Sequence, residues 1–186
     1  MILSDRDIKT AIQKGKIKIT PKPDFAKQLG SCSLDLRLSG VFRVYAYNHS
    51  AFIDVSNPKT YQDITKEHRL KKNGSFILHP GEFILGWTME RIELPNDIAA
   101  RIDGRSSMGR LGLVVHSTAG HVDPGFKGNL TLEIANIGKI PIILRPGLRV
   151  CQLVFDVLSS PTTNPYKKKY GASWNKPGKL KRVSLM

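Results

Sequence analysis

The segment RIDGRSSMGRLGLVVHSTAGHVDPGFKGNLTLEIAN, residues 101–136, alternates short β-type runs with turns that are rich in glycine. In its last run Leu130, Leu132 and Ile134 alternate with more polar residues, which is the period of a strand with one buried face. Similar runs stand on both sides of this segment: SLDLRL, GEFILGWTM, IPIIL and LRVCQLVFDVL. Many short strands with regular turn signals predict a mainly β domain, a sandwich or jelly roll with little helix.

Three proline-glycine pairs separate these strands, at residues 80–81, 124–125 and 146–147. Proline at the second position and glycine at the third position of a turn favour type II. The surrounding segments ILHPGEF and ILRPGLR resemble each other, which suggests two hairpins in one sheet system.

A helical period appears only near the N-terminus, in residues 4–14. Ser4 can cap this helix, and Asp7 stands three residues further on, as in a capping box. A short helix is therefore predicted at the start of a β domain that spans residues 1–165. A basic tail, residues 166–186, follows that domain.

The composition fits one globular domain of 186 residues, with 40% hydrophobic and 24% charged residues. No apolar run approaches the roughly 18 residues of a membrane-spanning helix, and the first residues lack the apolar core of a signal peptide. Cys32 and Cys151 have no CxxC partner, so we expect two buried thiols in a reducing compartment and no zinc knuckle. These features predict a cytoplasmic protein without a membrane segment.

The formal net charge of +14 favours anionic partners such as nucleotides, phosphates or nucleic acid. The surplus is uneven, because residues 166–186 contain seven Lys or Arg residues and no acidic residue. This tail is a solvated charge run, a segment that closes over phosphates, or a nucleic-acid surface. A second polar stretch, residues 56–73, is expected to be a long surface excursion.

Residues 104–110, GRSSMGR, gather the groups that bind phosphate. Glycine lets the backbone approach a ligand, and arginine forks, serine hydroxyls and backbone N–H groups suit a polyphosphate. The alternative is an exposed basic loop without a ligand, and the density of such groups favours the anion site. Neither G-x-x-x-x-G-K-[ST] nor H-x-E with P-C-x-x-C is present, so neither a P-loop enzyme nor a zinc-dependent deaminase is expected.

Glu133 stands in the middle of an apolar strand, but on the face opposite to Leu132 and Ile134. It is either a solvated strand glutamate or a residue on the wall of a cleft, where it could transfer protons. Asp123, directly before a Pro-Gly pair, either starts a turn or orders a water or sugar hydroxyl near phosphates.

Four segments together resemble the dCTP deaminases of the dUTPase-like superfamily: ELPNDIAARIDGRSSMGRLGL, HSTAGHVDPGFKGNLTLEIAN, the opening MILSDRDI, and GSCSLDLRL. The resemblance covers roughly residues 1–170. It implies a homotrimer of distorted jelly-roll or β-barrel subunits, with active sites between the subunits. It also implies zinc-free hydrolytic deamination of dCTP to dUTP, with Mg2+ bound through the triphosphate.

The same resemblance implies roles for individual residues. Glu133 matches the family's general acid and base, and Ser106 and Arg110 match its catalytic helpers. Ser106 would hold the attacking water beside Glu133. The expected substrate-binding residues are Arg105 and Ser107 at the phosphates, Ala119 at the base, Asp123 near the deoxyribose, Phe126 on the sugar, and Lys169 and Tyr170 in the closing tail.

Glycine at position 120 resembles the pattern of the family branch that continues from dUTP to dUMP and pyrophosphate. Glycine would leave room beside the α-phosphate, where a water ordered by Asp123 could attack. One alternative is a dUTP pyrophosphatase without deamination, which would have no need of Glu133. The other is a non-catalytic protein on the same fold that binds nucleotides or, less expected, nucleic acid.

Overall fold

The computed structural model describes residues 1–45, 52–57, 60 and 64–167. Strands dominate these residues, and no helix among them has the length and apolar character needed to cross a membrane. The predicted mainly β fold with a short N-terminal helix is confirmed. The elements follow in this order: α1 (Asp5–Gln13), β1 (Lys18–Thr20), α2 (Phe25–Gln28), β2 (Leu34–Tyr45), β3 (Thr65–Arg69), β4 (Phe76–Leu78), β5 (Phe83–Glu93), β6 (Ile98–Gly104), α3 (Ser106–Gly109), β7 (Leu113–Val115), β8 (His121–Val122), β9 (Lys127–Asn136), β10 (Ile142–Leu144) and β11 (Arg149–Val157).

Helix α1 has the cap that the sequence predicts. The Ser4 hydroxyl donates to Asp7 Oδ2 at 2.8 Å, and its oxygen accepts from the Asp7 N–H at 3.4 Å. Gly15 follows the helix with a φ of +72°, which costs glycine no Cβ strain. Ile8 is fully buried in the main core and holds the helix against the sheet.

Strand β2 connects the two halves of a curled, antiparallel sheet. Its residues 34–37 pair with β11, whereas residues 38–45 pair with β5 and β3. The order is β7-β9-β5-β2-β11-β6-β8, with β1 beside β5 and β3 beside β2. The pairing of β2 with β5 shifts register between Leu38 and Phe42, and such irregularities bend a strand. One half of the sheet therefore carries β9, and the other half carries β6 and β11.

The core is built from alternate residues of these strands. Leu34 and Leu36 of β2 are fully buried, as are Leu132 and Ile134 of β9. Glu133 lies on the opposite face of β9 and is partly exposed, as the alternation predicts. Burying one such aliphatic side chain contributes about 1.5–3 kcal/mol. A slip of one residue would reverse the two faces, so the core fixes the direction of Glu133.

The two similar segments contact each other directly. Strand β4 pairs with β10 in a separate two-stranded sheet, with Ile77 opposite Ile143. The turn glycines Gly81, Gly125 and Gly147 have φ values of +79°, +82° and +85°, as type II turns require. The turn prediction is confirmed, but the two predicted hairpins do not form among the described strands, because β4 and β10 pair with each other and not with β5 and β11.

Two expectations from the sequence are wrong. Cys32 is exposed, because it lies in the loop between α2 and β2 and not on a strand. Cys151 is buried in β11 as expected, and burial raises the pKa of its thiol. Residues 56–73 are not only a surface excursion, because β3 lies within them, pairs with β2 and buries Thr65.

Candidate active site

The GRSS segment leaves β6 and borders a cavity of about 290 Å³, which we call the arginine cavity. Helix α3 is a single turn that begins at Ser106, and Arg105 precedes it in an extended conformation. This turn leaves the two serines exposed at the cavity. The lining includes Arg105, Ser106, Ser107, Arg149, Gln152 and Asp35.

The arginine cavity has a surplus of positive charge. Lys27, Arg105 and Arg149 line it together with one carboxylate, Asp35. Asp35 Oδ2 lies 3.0 Å from Arg105 Nε and 3.1 Å from Arg149 Nη1. Guanidinium groups next to hydroxyls form the strong, charge-assisted hydrogen bonds that phosphates accept. The cavity is therefore suited to a multiply charged anion.

A second cavity, of about 210 Å³, lies between β6 and the loop from β7 to β8, and we call it the histidine cavity. His116 lines it with a φ of +81°, and its N–H donates to the Glu133 carbonyl at 2.9 Å. Both ring nitrogens of His116 are buried, and neither has a hydrogen-bond partner in the described part of the chain. Buried polar atoms normally have partners, so the two ring nitrogens are an exception to the usual hydrogen bonding of buried groups.

The Glu133 carboxylate stands at the edge of the histidine cavity. Glu133 Oε2 accepts from Thr118 Oγ1 at 3.1 Å and from the Ser117 N–H at 3.4 Å, and both donors line that cavity. Within the described ranges no Lys, Arg or His forms an ion pair with Glu133. Burial, followed by the charge of Glu133, raises the pKa of Tyr45, so a protonated phenol lies near a carboxylate. The Glu133 carboxylate thus has hydrogen-bond donors at the edge of the histidine cavity but no cationic partner among the described residues.

Gly120 allows the histidine cavity to form. The Ile102 N–H donates to the Gly120 carbonyl at 2.7 Å. A Cβ at position 120 would lie 3.0 Å from the Ile102 carbonyl oxygen and 3.5 Å from His116 Cδ2. The close approach of two backbones is a reason for glycine here that the sequence did not suggest.

We expect Gly120→Ala to lower the free energy of unfolding by about 1–3 kcal/mol, because the new Cβ pushes the loop away from β6. Urea denaturation measures this difference. The matched control is Gly104→Ala in β6, where a Cβ would meet no atom within 4 Å. Equal stability of the two variants would contradict the packing argument.

The structure divides the predicted catalytic residues between the two cavities. Arg105, Ser106 and Ser107 line the arginine cavity, whereas Glu133 stands beside the histidine cavity. The two cavities share no lining residue, and in the described part of the chain no hydrogen bond joins Glu133 to Ser106. A single subunit therefore does not hold the serine and the glutamate in one hydrogen-bonded arrangement.

Three further predicted residues line neither cavity. Arg110 ends α3 and is exposed, and its guanidinium forms no hydrogen bond or ion pair with the described residues. Ala119 is exposed in the loop before β8. Asp123 follows β8, where Oδ1 lies 3.4 Å from His121 Nε2 and the carbonyl accepts from the Phe126 N–H. The turn role of Asp123 is therefore seen directly.

The remaining predicted residues lie in or near the tail. Phe126 is only 8% exposed within the main core, and its ring centroid lies 5.5 Å from that of Tyr166. This packing leaves little of the ring for the predicted contact with a sugar. Lys169 and Tyr170, predicted to contact the substrate, lie outside the described residues.

Sequence reasoning missed Asp35 and Arg149 in the arginine cavity, and His116 and Tyr45 near Glu133. Asp35 stands in the strand pattern SLDLRL, where a polar residue on an outward face carries no signal of its own. His116 directly precedes STAGHVD and could have been noticed only by its place in that segment. All four depend on pairings between distant strands.

The described donor set does not form a metal cage. In residues 1–45, 52–57, 60 and 64–167 no group of three or more His, Cys, Asp or Glu residues could hold a metal ion. In the arginine cavity Asp35 is already paired with two guanidinium groups.

Comparisons with known proteins agree with one another. A family model described as dCTP deaminase-like matches residues 2–158. A dUMP-forming dCTP deaminase of Dictyoglomus thermophilum is 47% identical over 175 residues, which cover 94% of this chain and 90% of that protein. A dCTP deaminase of Thermomicrobium roseum is 44% identical over 92% of this chain and 87% of its own. The crystal structure of 2'-deoxycytidine 5'-triphosphate deaminase from Agrobacterium tumefaciens matches with a TM-score of 0.64 and 29% identity over 84% of this chain, which spans 48% of that one.

Proposed function

This chain belongs to the dCTP deaminase-like family, and we propose that it deaminates dCTP and carries the product on to dUMP. The observation that carries the proposal is the Glu133 carboxylate, which is held by Thr118 and neutralised by no cation in the described residues. A pyrophosphatase alone would have no use for such a group beside the base. The arginine cavity then binds the phosphates, and the region of Glu133 receives the cytosine.

The phosphate side uses the residues that line the arginine cavity. Arg105 and Ser107 bind the triphosphate, and the α3 turn brings Ser106 next to them. Mg2+ enters as part of the substrate, chelated by the phosphate oxygens. The surplus of positive charge in the cavity offsets the negative charge of the ligand, so no metal site of the protein is needed. The tail, residues 166–186, would close over the phosphates.

The deamination requires a water, one proton carrier and an amine that leaves as ammonia. Glu133 removes a proton from the water as its oxygen attacks C4, and delivers protons first to N3 and then to the departing nitrogen. The C4–N4 bond breaks and a carbonyl remains, so the product is dUTP. Ser106 holds the water, and Arg110, whose guanidinium has no partner in the described residues, stabilises charge along the path.

Ser106 and Glu133 act on the same water but line different regions of one subunit. We infer that the arginine cavity of one subunit meets the Glu133 region of a neighbour in a homotrimer. A closed ring with threefold symmetry uses one kind of contact three times and completes three identical sites. The separation of the two cavities within a chain supports this assembly.

The second step releases pyrophosphate. Asp123, near the deoxyribose, orders a water that attacks the α-phosphorus of bound dUTP, and the arginines stabilise the charge that develops. A Mg2+ ion brought in with the triphosphate would add to that stabilisation. The 47% identity to a dUMP-forming relative supports this step. Deamination and hydrolysis at one site keep free dUTP from accumulating.

We expect purified protein given dCTP and magnesium to form dUMP and pyrophosphate from the first turnovers, as followed by chromatography of the nucleotides. Asp123→Asn is expected to keep deamination and to accumulate dUTP, since Asn cannot activate the second water as a carboxylate does. If the unaltered protein converts dCTP to dUTP stoichiometrically and the dUTP persists, the protein is a deaminase without the second activity.

The two alternatives from the sequence are not favoured. A dUTP pyrophosphatase without deamination leaves the open Glu133 carboxylate unexplained, and a non-catalytic binding protein does not fit curated enzyme relatives over more than 90% of the chain. The proposed reaction uses a free nucleotide, so it requires no nucleic acid as a partner. We place the protein in the cytoplasm, where its exposed Cys32 stays reduced.

A further inference from the structure

The carboxylate of Asp35 is shared by two arginines from different parts of the chain. Oδ2 lies 3.0 Å from Arg105 Nε and 3.1 Å from Arg149 Nη1. Arg105 follows β6, and Arg149 begins β11, so the carboxylate joins three neighbouring segments. Arg105 also donates through Nη1 to the Arg149 carbonyl at 3.2 Å, and Arg149 Nη1 donates to the Lys27 carbonyl. The two guanidinium groups are therefore held as a pair.

Backbone contacts hold Asp35 in place on β2. Its side chain is 14% exposed, and its backbone pairs with Gln152 in β11. The buried Gln28 donates from Nε2 to the Asp35 carbonyl at 2.9 Å and to Glu90 Oε1 at 3.1 Å. Glu90 is fully buried and accepts from Arg37 Nε at 2.6 Å. This chain of bonds ties the Asp35 backbone to the sheet, and from that fixed position its carboxylate reaches both guanidinium groups.

The arrangement leaves part of each guanidinium available. Among the described residues, no hydrogen bond uses Arg105 Nη2, Arg149 Nε or Arg149 Nη2. Both arginines line the arginine cavity, and their side chains are 24% and 40% exposed. These N–H groups are the ones that a phosphate can reach.

We propose that Asp35 is a positioning residue that holds Arg105 and Arg149 as a pre-formed anion clamp, and that Arg149 contacts the triphosphate together with Arg105. This inference rests on the proposed assignment of the arginine cavity to the phosphates. An arginine that is already ordered loses less side-chain entropy when a ligand binds, so the clamp strengthens binding although Asp35 itself is negative.

The direction in which Asp35→Asn changes the affinity for phosphate distinguishes a positioning role from a purely electrostatic one. Asp35 places a negative charge in a cavity that binds an anion. By charge alone, Asp35→Asn would strengthen phosphate binding. A positioning role predicts the opposite, because the Asn amide offers a weaker acceptor and its N–H groups face the guanidinium donors. The two arginines would then move apart and lose their fixed geometry.

The test measures the KM for dCTP and the inhibition constant of inorganic tripolyphosphate, a probe that engages only the phosphate side. We expect Asp35→Asn to raise both by about tenfold or more, the worth of one lost charge-assisted hydrogen bond. The value of kcat should change much less, because Asp35 does not touch the base. Asp35→Glu, which keeps the charge, should recover part of the affinity.

A double-mutant cycle with Arg149→Gln gives the second readout. If Asp35 acts through Arg149, the loss from Asp35→Asn is smaller when Arg149 is already absent. Asp97→Asn is the matched control, since it breaks the exposed pair with Lys16, at 2.6 Å, and lines neither cavity of the site. Circular dichroism and thermal unfolding verify that each variant is folded.

Tripolyphosphate that binds Asp35→Asn as tightly as, or more tightly than, the unaltered protein overturns the proposal. So does full additivity in the cycle. A failure of the function proposed above would look different, because the unaltered protein would then turn over no dCTP or would show no competition by tripolyphosphate.

Discussion

Replacing Glu133 by glutamine is expected to lower kcat for dCTP deamination by at least about 10²–10⁴-fold, the usual contribution of a general acid or base. Glutamine keeps the shape of the side chain and can still accept from Thr118, which donates at 3.1 Å in the unaltered protein. It cannot take a proton from water. Because a single carboxylate transfers every proton of the reaction, the loss should reach the upper end of that range.

The measurement is single-turnover formation of uracil nucleotides from dCTP. Glu93→Gln is a matched control, since Glu93 also lies on a strand and pairs with an arginine, Arg91, away from both cavities. Competitive inhibition by tripolyphosphate should be the same in both variants. A Glu133→Gln protein that deaminates within a few-fold of the parent would remove Glu133 from the chemistry.

The second large effect is a recovery of activity from two inactive chains. Ser106→Ala should cost about 10²–10³-fold in kcat, as removal of a positioned polar group from a reacting centre commonly does. If each site takes Ser106 from one subunit and Glu133 from its neighbour, co-expressed Ser106→Ala and Glu133→Gln chains can rebuild intact sites. In random trimers about a quarter of the sites are complete. Activity should therefore rise from near background to about a quarter of the parent value.

Two differently tagged chains allow the mixed trimers to be purified before the assay. The expected activity then rises to about a third of the parent value, because each mixed trimer has one complete site of three. The control pairs the Glu133→Gln chain with a chain that carries both substitutions, because that mixture contains no intact site. Mixed oligomers without recovered activity would place both residues in a site within one chain. Size-exclusion chromatography with light scattering measures the number of subunits.

The features that could be predicted from the sequence are local. Alternation in NLTLEIAN correctly placed Glu133 opposite the core, because a strand has a period of two whatever lies beside it. The cap at Ser4 and the turn glycines depend on neighbours within a few residues. The arginine and the two serines of GRSS could be grouped for the same reason, since they are adjacent in the chain.

The features that could not be predicted depend on pairing between distant segments. Asp35 meets Arg149 across 114 residues of sequence, and no local pattern marks either one. The two cavities border β6 and the turn that follows it, and their other lining residues come from segments that are distant in the sequence. Phe126 was expected at a sugar, but it packs in the core against Tyr166, which lies 40 residues further along the chain.

The pairing of β4 with β10 gives the fold a local pseudo-twofold symmetry. A half-turn about the midpoint between Ile77 and Ile143 exchanges the buried Leu78 with the buried Leu144. The two Pro-Gly turns follow Leu78 and Leu144 at equal distances along the chain, and so do the starts of β5 and β11, which flank β2 on opposite sides. The half of the sheet that carries Glu133 and the half that carries the arginine cavity are thus each joined to the small sheet by the same strand–turn–strand segment.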